Sequence, residues 1–298
     1  MEKVSCRSYF REAYYCCKAA NTFDLKALMC VTLELPELFT ILWRHRSLVL
    51  ELTKREFSGR YRGSFGGIIW SFVQPLFLLT VYTVAFGVIL KARWGSSGST
   101  AEYALMLFAG LIIFNAFSEV LSKSTTLVTD NPNFVKKVVF PLELLPVITV
   151  TAALIHALIG IFVWFLGYIL LFGAPKTTAI LFPLILVCFV PVLLGLGWLL
   201  SALGVIVRDI SQLTGMLVHT LLFLTPIFYS IETAPPKLQK LLMLNPLTFV
   251  VEQFRSVIFY GEMPALIGLA VYFVLASIFA WVSLWLFRRL RPTFADMV

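Results

Sequence analysis

Charge is what this 298-residue chain lacks most: 13% of its residues are Asp, Glu, Lys or Arg, while 59% are apolar. A soluble globular chain carries roughly a quarter charged residues and no more than about half apolar ones. The deficit excludes a soluble enzyme, a disordered segment and a disulfide-rich secreted module. Acid is scarcest within the apolar runs, where Glu119 and Glu143 lie near run ends and Glu252 lies between two runs. A carrier driven by protons or sodium ordinarily needs a carboxylate inside the bilayer. Secondary transport is therefore disfavoured, and the chain is left without an energy source of its own. Nucleotide-binding and catalytic motifs are missing as well: there is no Gly-x-x-x-x-Gly-Lys-Ser/Thr, no His-Glu-x-x-His and no Gly-x-Ser-x-Gly. Of the five cysteines, Cys6, Cys16, Cys17 and Cys30 crowd the first thirty residues without a Cys-x-x-Cys or a nearby His. They read as reduced thiols rather than metal ligands. The same stretch, dotted with Lys3, Arg7, Arg11, Lys18 and Lys26, has no apolar core of a signal peptide.

What is present is a set of long, continuous apolar runs, unlike the short alternating strands of a membrane barrel. A spanning helix needs about 20 mostly apolar residues. Six candidates lie at 68–90, 104–121, 144–172, 179–207, 213–229 and 265–287. The third is long enough to tilt, and Pro226 is expected to distort the far end of the fifth. The surplus of +8 is informative through its placement. With the N-terminus inside, eighteen Lys and Arg fall on the inner side and six on the outer, including Arg255. This predicts an all-α polytopic membrane protein with six crossings, N-in and C-in. The basic residues edge apolar runs, so nucleic-acid binding is not expected.

Two further segments have character. Residues 36–58 place Leu38, Phe39, Leu42, Val49, Leu52 and Phe57 at helical spacing, with Arg44, His45, Arg46, Lys54 and Arg55 on much of the other face. This predicts an amphipathic helix on the inner membrane surface, the alternative being an ordinary helix packed on a neighbour. Residues 235–261 are too apolar for a free loop and are broken at Asn245–Pro246, which predicts an external re-entrant helical hairpin. No internal repeat is visible. His156 and His219 fall within crossings; each reads as a neutral imidazole bonded to a neighbouring helix before it reads as a functional group.

Four motifs carry a resemblance. They are the run from Arg60-Tyr61-Arg62-Gly63-Ser64-Phe65-Gly66-Gly67 to Trp70 and Gln74-Pro75, continuing to Tyr82 and Phe86-Gly87; the stretch Asn131-Pro132-Asn133-Phe134-Val135-Lys136-Lys137 to Phe140-Pro141; Arg208-Asp209-Ile210; and Asn245-Pro246-Leu247 through Phe254-Arg255 to Tyr260-Gly261. Together they resemble the permeases of ABC type 2 transporters, in particular the branch that exports O-antigen, capsular polysaccharide and teichoic acid. The resemblance covers about 36–290, leaving 1–35 as a cytoplasmic extension without an assigned role and 291–298 as a cytoplasmic tail.

The resemblance implies a non-enzymatic half-transporter of the bacterial inner membrane. It would act as a homodimer with two copies of a cytosolic ATPase, which alone holds ATP and Mg. A coupling loop at 130–140 would dock on that ATPase through Asn131, Asn133, Phe134, Lys136 and Lys137, and a second inner turn at 208–212 through Arg208 and Asp209. Arg60, Tyr61, Arg62 and Gly63 would meet a lipid-linked glycan at its pyrophosphate, since guanidinium groups fork onto phosphate oxygens. Attraction to anionic membrane lipid explains the same basic cluster. Aromatic rings make up 15% of the chain, and rings pack on the C–H faces of sugars without trapping charge. Trp70, Phe77, Tyr82, Phe86, Phe223, Phe228 and Tyr229 are thus candidates for a translocation path, although aromatic belts facing lipid have the same composition. Gly195, Gly197, Ser201 and Gly204 in the fourth run suit close helix packing. Two alternatives stay open: an exporter of drugs or small lipids from the same superfamily, and a membrane-embedded glycosyl- or acyltransferase.

Overall fold

The computed structural model describes residues 40–61, 63–89, 99–136, 140–207 and 209–297. Every regular element among them is helical. The chain divides between Arg46 and Ser47, and the sites below lie in the second unit.

Helix α1 (Arg46–Gly59) half-buries Val49, Leu52 and Phe57 and exposes Lys54 and Arg55, as its periodicity requires. Leu38 and Phe39 lie outside the described residues. A turn follows in which Gly63 and Gly67 take positive φ of 85° and 50°, a conformation that side chains with a Cβ resist. The chain then enters α2 (Trp70–Tyr82), which continues as a π-helical stretch, Thr83–Ile89.

Among the described residues, five helices are long and apolar enough to cross a membrane: Gly67–Phe86, Thr100–Ser124, Leu144–Phe172, Thr177–Ile206 and Leu266–Phe294. The second contains α3 (Thr100–Ser124), the hub of the bundle. It starts at a capping box between Ser99 and Glu102, and all of 103–117 except Asn115 is buried. Around it pack α5 (Leu144–Phe172) and α6 (Phe182–Ile206), with a short helix α4 (Pro132–Lys136) in the connection before α5. The glycines of α6 pack closely as expected. A Cβ on Gly204 would sit 1.8 Å from the Thr125 carbonyl oxygen, and one on Gly195 would strike the Phe279 ring. By contrast α2 leaves Trp70, Leu76 and Phe77 exposed, an apolar surface stable only against lipid or another chain.

The fifth expected crossing is shorter than its apolar run. Helix α7 (Ile210–Leu224) has 15 residues, about 22 Å at 1.5 Å per residue. It stops because Thr225 precedes Pro226 and adopts extended φ/ψ of −86° and 135°. The hairpin segment forms α8 (Pro236–Met243) and α9 (Pro246–Arg255), the latter extended by the π-turn Ser256–Tyr260, with a bend of 96° between the two arms. Counted as one span, this pair brings the candidates to six. Asn245 makes the break, its Oδ1 accepting from Leu247 N at 3.0 Å. The last helix, α10 (Leu266–Met297), runs ten residues beyond the expected boundary at 287. Its extension is held by ion pairs from Arg291 and Arg288 to the buried Glu143, at 3.2 and 3.6 Å.

Candidate functional site

Polar groups converge where α1, α2, α3 and α5 meet. Glu119 on α3 has a side chain only 8% exposed, yet it is surrounded by cations. Arg60 Nη1 donates to Oε2 at 3.3 Å, and Nη2 lies 3.3 Å from Oε1 as an ion pair. Lys123, one turn along α3, approaches Oε1 at 3.2 Å and donates to Glu56 of α1 at 2.7 Å. His156 of α5 places Nδ1 2.9 Å from Oε2. A carboxylate only accepts, so Nδ1 carries the hydrogen. The imidazole therefore is bonded to a neighbouring helix, while its buried Nε2 has no hydrogen-bond partner. The ring also lies against Phe57 and Tyr61, with centroids 4.9 and 6.1 Å away. Burial pushes the Tyr61 phenol above its ordinary pKa, and the adjacent Arg60 opposes that rise.

This cluster separates two hollows. A cleft of about 360 Å³ runs into the bundle between α2, α3 and α5. A groove of about 1310 Å³ runs beneath α1 to Asp130, Asn131, Asn133 and Phe134. Arg60, Tyr61 and Lys123 line both. The structure thus brings Arg60 and the 130–134 segment to one groove, a juxtaposition that the spacing of 70 to 74 residues did not reveal.

The other sequence candidates are distributed as follows. Asn131 donates from Nδ2 to the Leu127 carbonyl at 2.9 Å, and its own carbonyl accepts from Phe134 N. Asn133 is exposed. Phe134 is half-buried and stacks on Phe140 at 4.4 Å; Arg291 in turn donates to the Phe140 carbonyl at 3.4 Å. Lys136 lies in α4, with its side chain outside the described residues, as are Arg62, Lys137 and Arg208. Asp209 is exposed, and its carbonyl accepts from Gln212 N and Leu213 N. Gly63 lies at the exposed tip of the turn.

Among the aromatic candidates, Tyr82, Phe86, Phe228 and Phe223 form a continuous chain of ring contacts, with successive centroids 6.1, 5.7 and 5.8 Å apart. Tyr229 joins through its hydroxyl, which donates to the Phe223 carbonyl. Trp70 and Phe77 stay apart from this chain. Trp70 packs over Gly66, where a Cβ would lie 2.8 Å from its Nε1. Sequence reasoning missed Tyr103, which touches Phe86 at 5.8 Å and donates to the Phe228 carbonyl at 2.7 Å.

It also misplaced Arg255, counted above among external charges. That side chain is fully buried. Its Nε donates to the Met106 carbonyl at 3.0 Å, Nη1 to Pro226 O at 2.6 Å and to Glu252 at 3.0 Å, and Nη2 to Ile227 O at 2.9 Å. Gly110 leaves it room, since a Cβ there would sit 2.7 Å from Nη2. Asn245 Nδ2 adds a bond to Thr225 Oγ1 at 3.0 Å. The hairpin is thereby clamped to the irregular backbone that Pro226 creates.

Residues 47–259 match the model of the ABC-2 type transporter family. The chain belongs to this family. As an ABC-2 permease it is a multi-pass membrane protein, in keeping with its apolar helices. It is similar to the O-antigen export system permease protein RfbA of Myxococcus xanthus, 26% identical over 264 residues, covering 86% of this chain and 97% of the relative. A permease of the same name from Klebsiella pneumoniae is 23% identical over 84% of this chain and 95% of its own. The polysialic acid transport protein KpsM of Escherichia coli is 23% identical over 79% of this chain and 91% of its own.

Proposed function

We propose that the chain is the membrane-spanning permease of an ATP-driven exporter that moves lipid-linked polysaccharide across a bacterial inner membrane. Relatives named for O-antigen export and polysialic acid transport support the cargo class. The observation that carries the mechanism is the shared groove: Arg60 and the Asp130–Phe134 segment face one hollow.

On this reading a lipid diphosphate reaches the Arg60 turn from the inner leaflet. Both Nη atoms of Arg60 now face the Glu119 carboxylate, and the same two donors would take two phosphate oxygens. Glu119 holds Arg60 oriented while the site is empty, and the diphosphate displaces it, leaving Glu119 to Lys123 and His156. Residues 130–140 and 208–212 dock a cytosolic ATPase, which holds ATP and Mg and does all the bond chemistry. Phe134, stacked on Phe140, transmits a push on α4 to the segment that Arg291 and Glu143 tie to α10. The permease acts as a homodimer with two ATPases, N-in and C-in, with α7 and its Pro226 break as a crossing and 235–261 as an external re-entrant hairpin. The ring chain from Tyr82 to Phe223 belongs to the translocation path.

Copurification tests the energy source. The tagged permease, co-expressed with a cytosolic ABC ATPase encoded beside it, is expected to retain that ATPase through gel filtration and to change its hydrolysis rate. The permease alone is expected to hydrolyse no ATP. Turnover of ATP or of a sugar donor by the isolated chain would overturn the reading.

A further inference from the structure

Helix α3 is apolar and buried over most of its length, yet Asn115, Ser118, Glu119 and Ser122 lie on one face at helical spacing. That face borders the cleft, and Ser71, Gln74, Pro75 and Leu78 of α2 face it at the same spacing. Ser71 and Ser118 hydroxyls are satisfied by the Ile68 and Asn115 carbonyls. The amides of Gln74 and Asn115 are exposed to the cleft and make no hydrogen bond among the described residues. An amide directed into hydrocarbon without a partner costs several kcal/mol, so a membrane helix holds one where water or a polar ligand meets it.

We propose that this cleft is a subsite for the sugar directly attached to the diphosphate, with Gln74 and Asn115 reading its hydroxyls. The proposal rests on the Arg60 diphosphate reading above. The chemistry fits a hydroxyl-rich neutral ligand. Each amide offers donors and an acceptor, matching hydroxyls that do both. Two cations, Arg60 and Lys123, line both the cleft and the adjoining groove, which sets a diphosphate beside the amides. Pro75, Leu78 and Phe108 supply apolar wall for the C–H faces of a ring. At about 360 Å³ the cleft falls in the range of small-ligand sites, roughly 300–1,000 Å³.

The test measures binding to the permease in nanodiscs, using farnesyl diphosphate and the same lipid bearing one N-acetylglucosamine on its diphosphate. Wild type is expected to bind the sugar-bearing lipid about tenfold more tightly, the effect of about two neutral hydrogen bonds. The double variant Gln74→Leu, Asn115→Leu is expected to lose that preference and retain its affinity for farnesyl diphosphate, a retention that also reports correct folding. Arg60→Ala is expected to weaken both lipids alike. UDP-N-acetylglucosamine, with the same diphosphate and sugar but no lipid, is expected not to compete. Equal wild-type affinities would overturn the subsite and leave the Arg60 reading standing, as would a preference kept in the double variant. Failure to bind farnesyl diphosphate at all would overturn the Arg60 reading and the subsite with it. Competition by the sugar nucleotide at equal concentration would overturn the lipid-borne source.

Discussion

Export is expected to collapse when Arg60 and Arg62 are both replaced by alanine. Two charge-assisted contacts to a diphosphate are worth about 1.5–3 kcal/mol each, so loss of the fork reduces surface glycan at least about a hundredfold. The variant should still fold. The Arg60 side chain is 40% exposed, and Glu119 keeps Lys123 at 3.2 Å and His156 at 2.9 Å after Arg60 is gone. Its ATPase should still copurify, because α4 is untouched. Arg60→Lys should recover only part of the activity, since an ammonium is a point charge without the planar fork. Quantifying surface glycan alongside permease abundance decides the matter. Normal surface glycan in the double variant would refute the role given to this turn.

Arg255→Ala is expected to be the most destabilising substitution at the hairpin. Removing the guanidinium leaves the carbonyls of Met106, Pro226 and Ile227 without the donor they share and opens a void beside Gly110. Breaking a buried charged network costs about 3–5 kcal/mol, which corresponds to a fall of about 10 °C in the apparent melting midpoint. Arg255 meets these carbonyls from three separate atoms, Nε, Nη1 and Nη2, whereas lysine carries its three donors on one nitrogen, so Arg255→Lys should fall between alanine and wild type. Thermal challenge of the detergent-solubilised protein, followed by gel filtration, gives the midpoint. An unchanged midpoint for the alanine variant would show that the clamp is not what holds the hairpin.

Much of the fold was readable because bilayer thickness imposes a length on apolar runs. The expected 144–172 matches α5, and the Asn245–Pro246 break was legible because Asn caps helices and Pro starts them. Pro226 announced the distortion of the fifth run; that helix ends sooner because the residue before proline leaves the helical region as well. Arg255 escaped a linear reading because its carbonyl partners lie 28 to 149 residues away. A charge count assigns every arginine to water, and only tertiary packing shows that one is enclosed. Glu119 and His156 were each noticed, but their pairing depends on the rotational register of α3 against α5. The polar face of α3 was periodic in the sequence and was masked by the hydropathy of the run as a whole. Phe134 is half-buried and stacks on Phe140, six residues on, a contact that its lysine flanks do not announce.

On the proposed function this chain has no engine of its own and is driven through its α4 segment and 208–212 turn by a separate ATPase. Vesicles reconstituted with the permease and its ATPase are predicted to move a lipid-linked glycan across the bilayer only when ATP and Mg are present on the ATPase side. Accumulation of that glycan against its gradient by vesicles holding the permease alone, without nucleotide, would contradict the account.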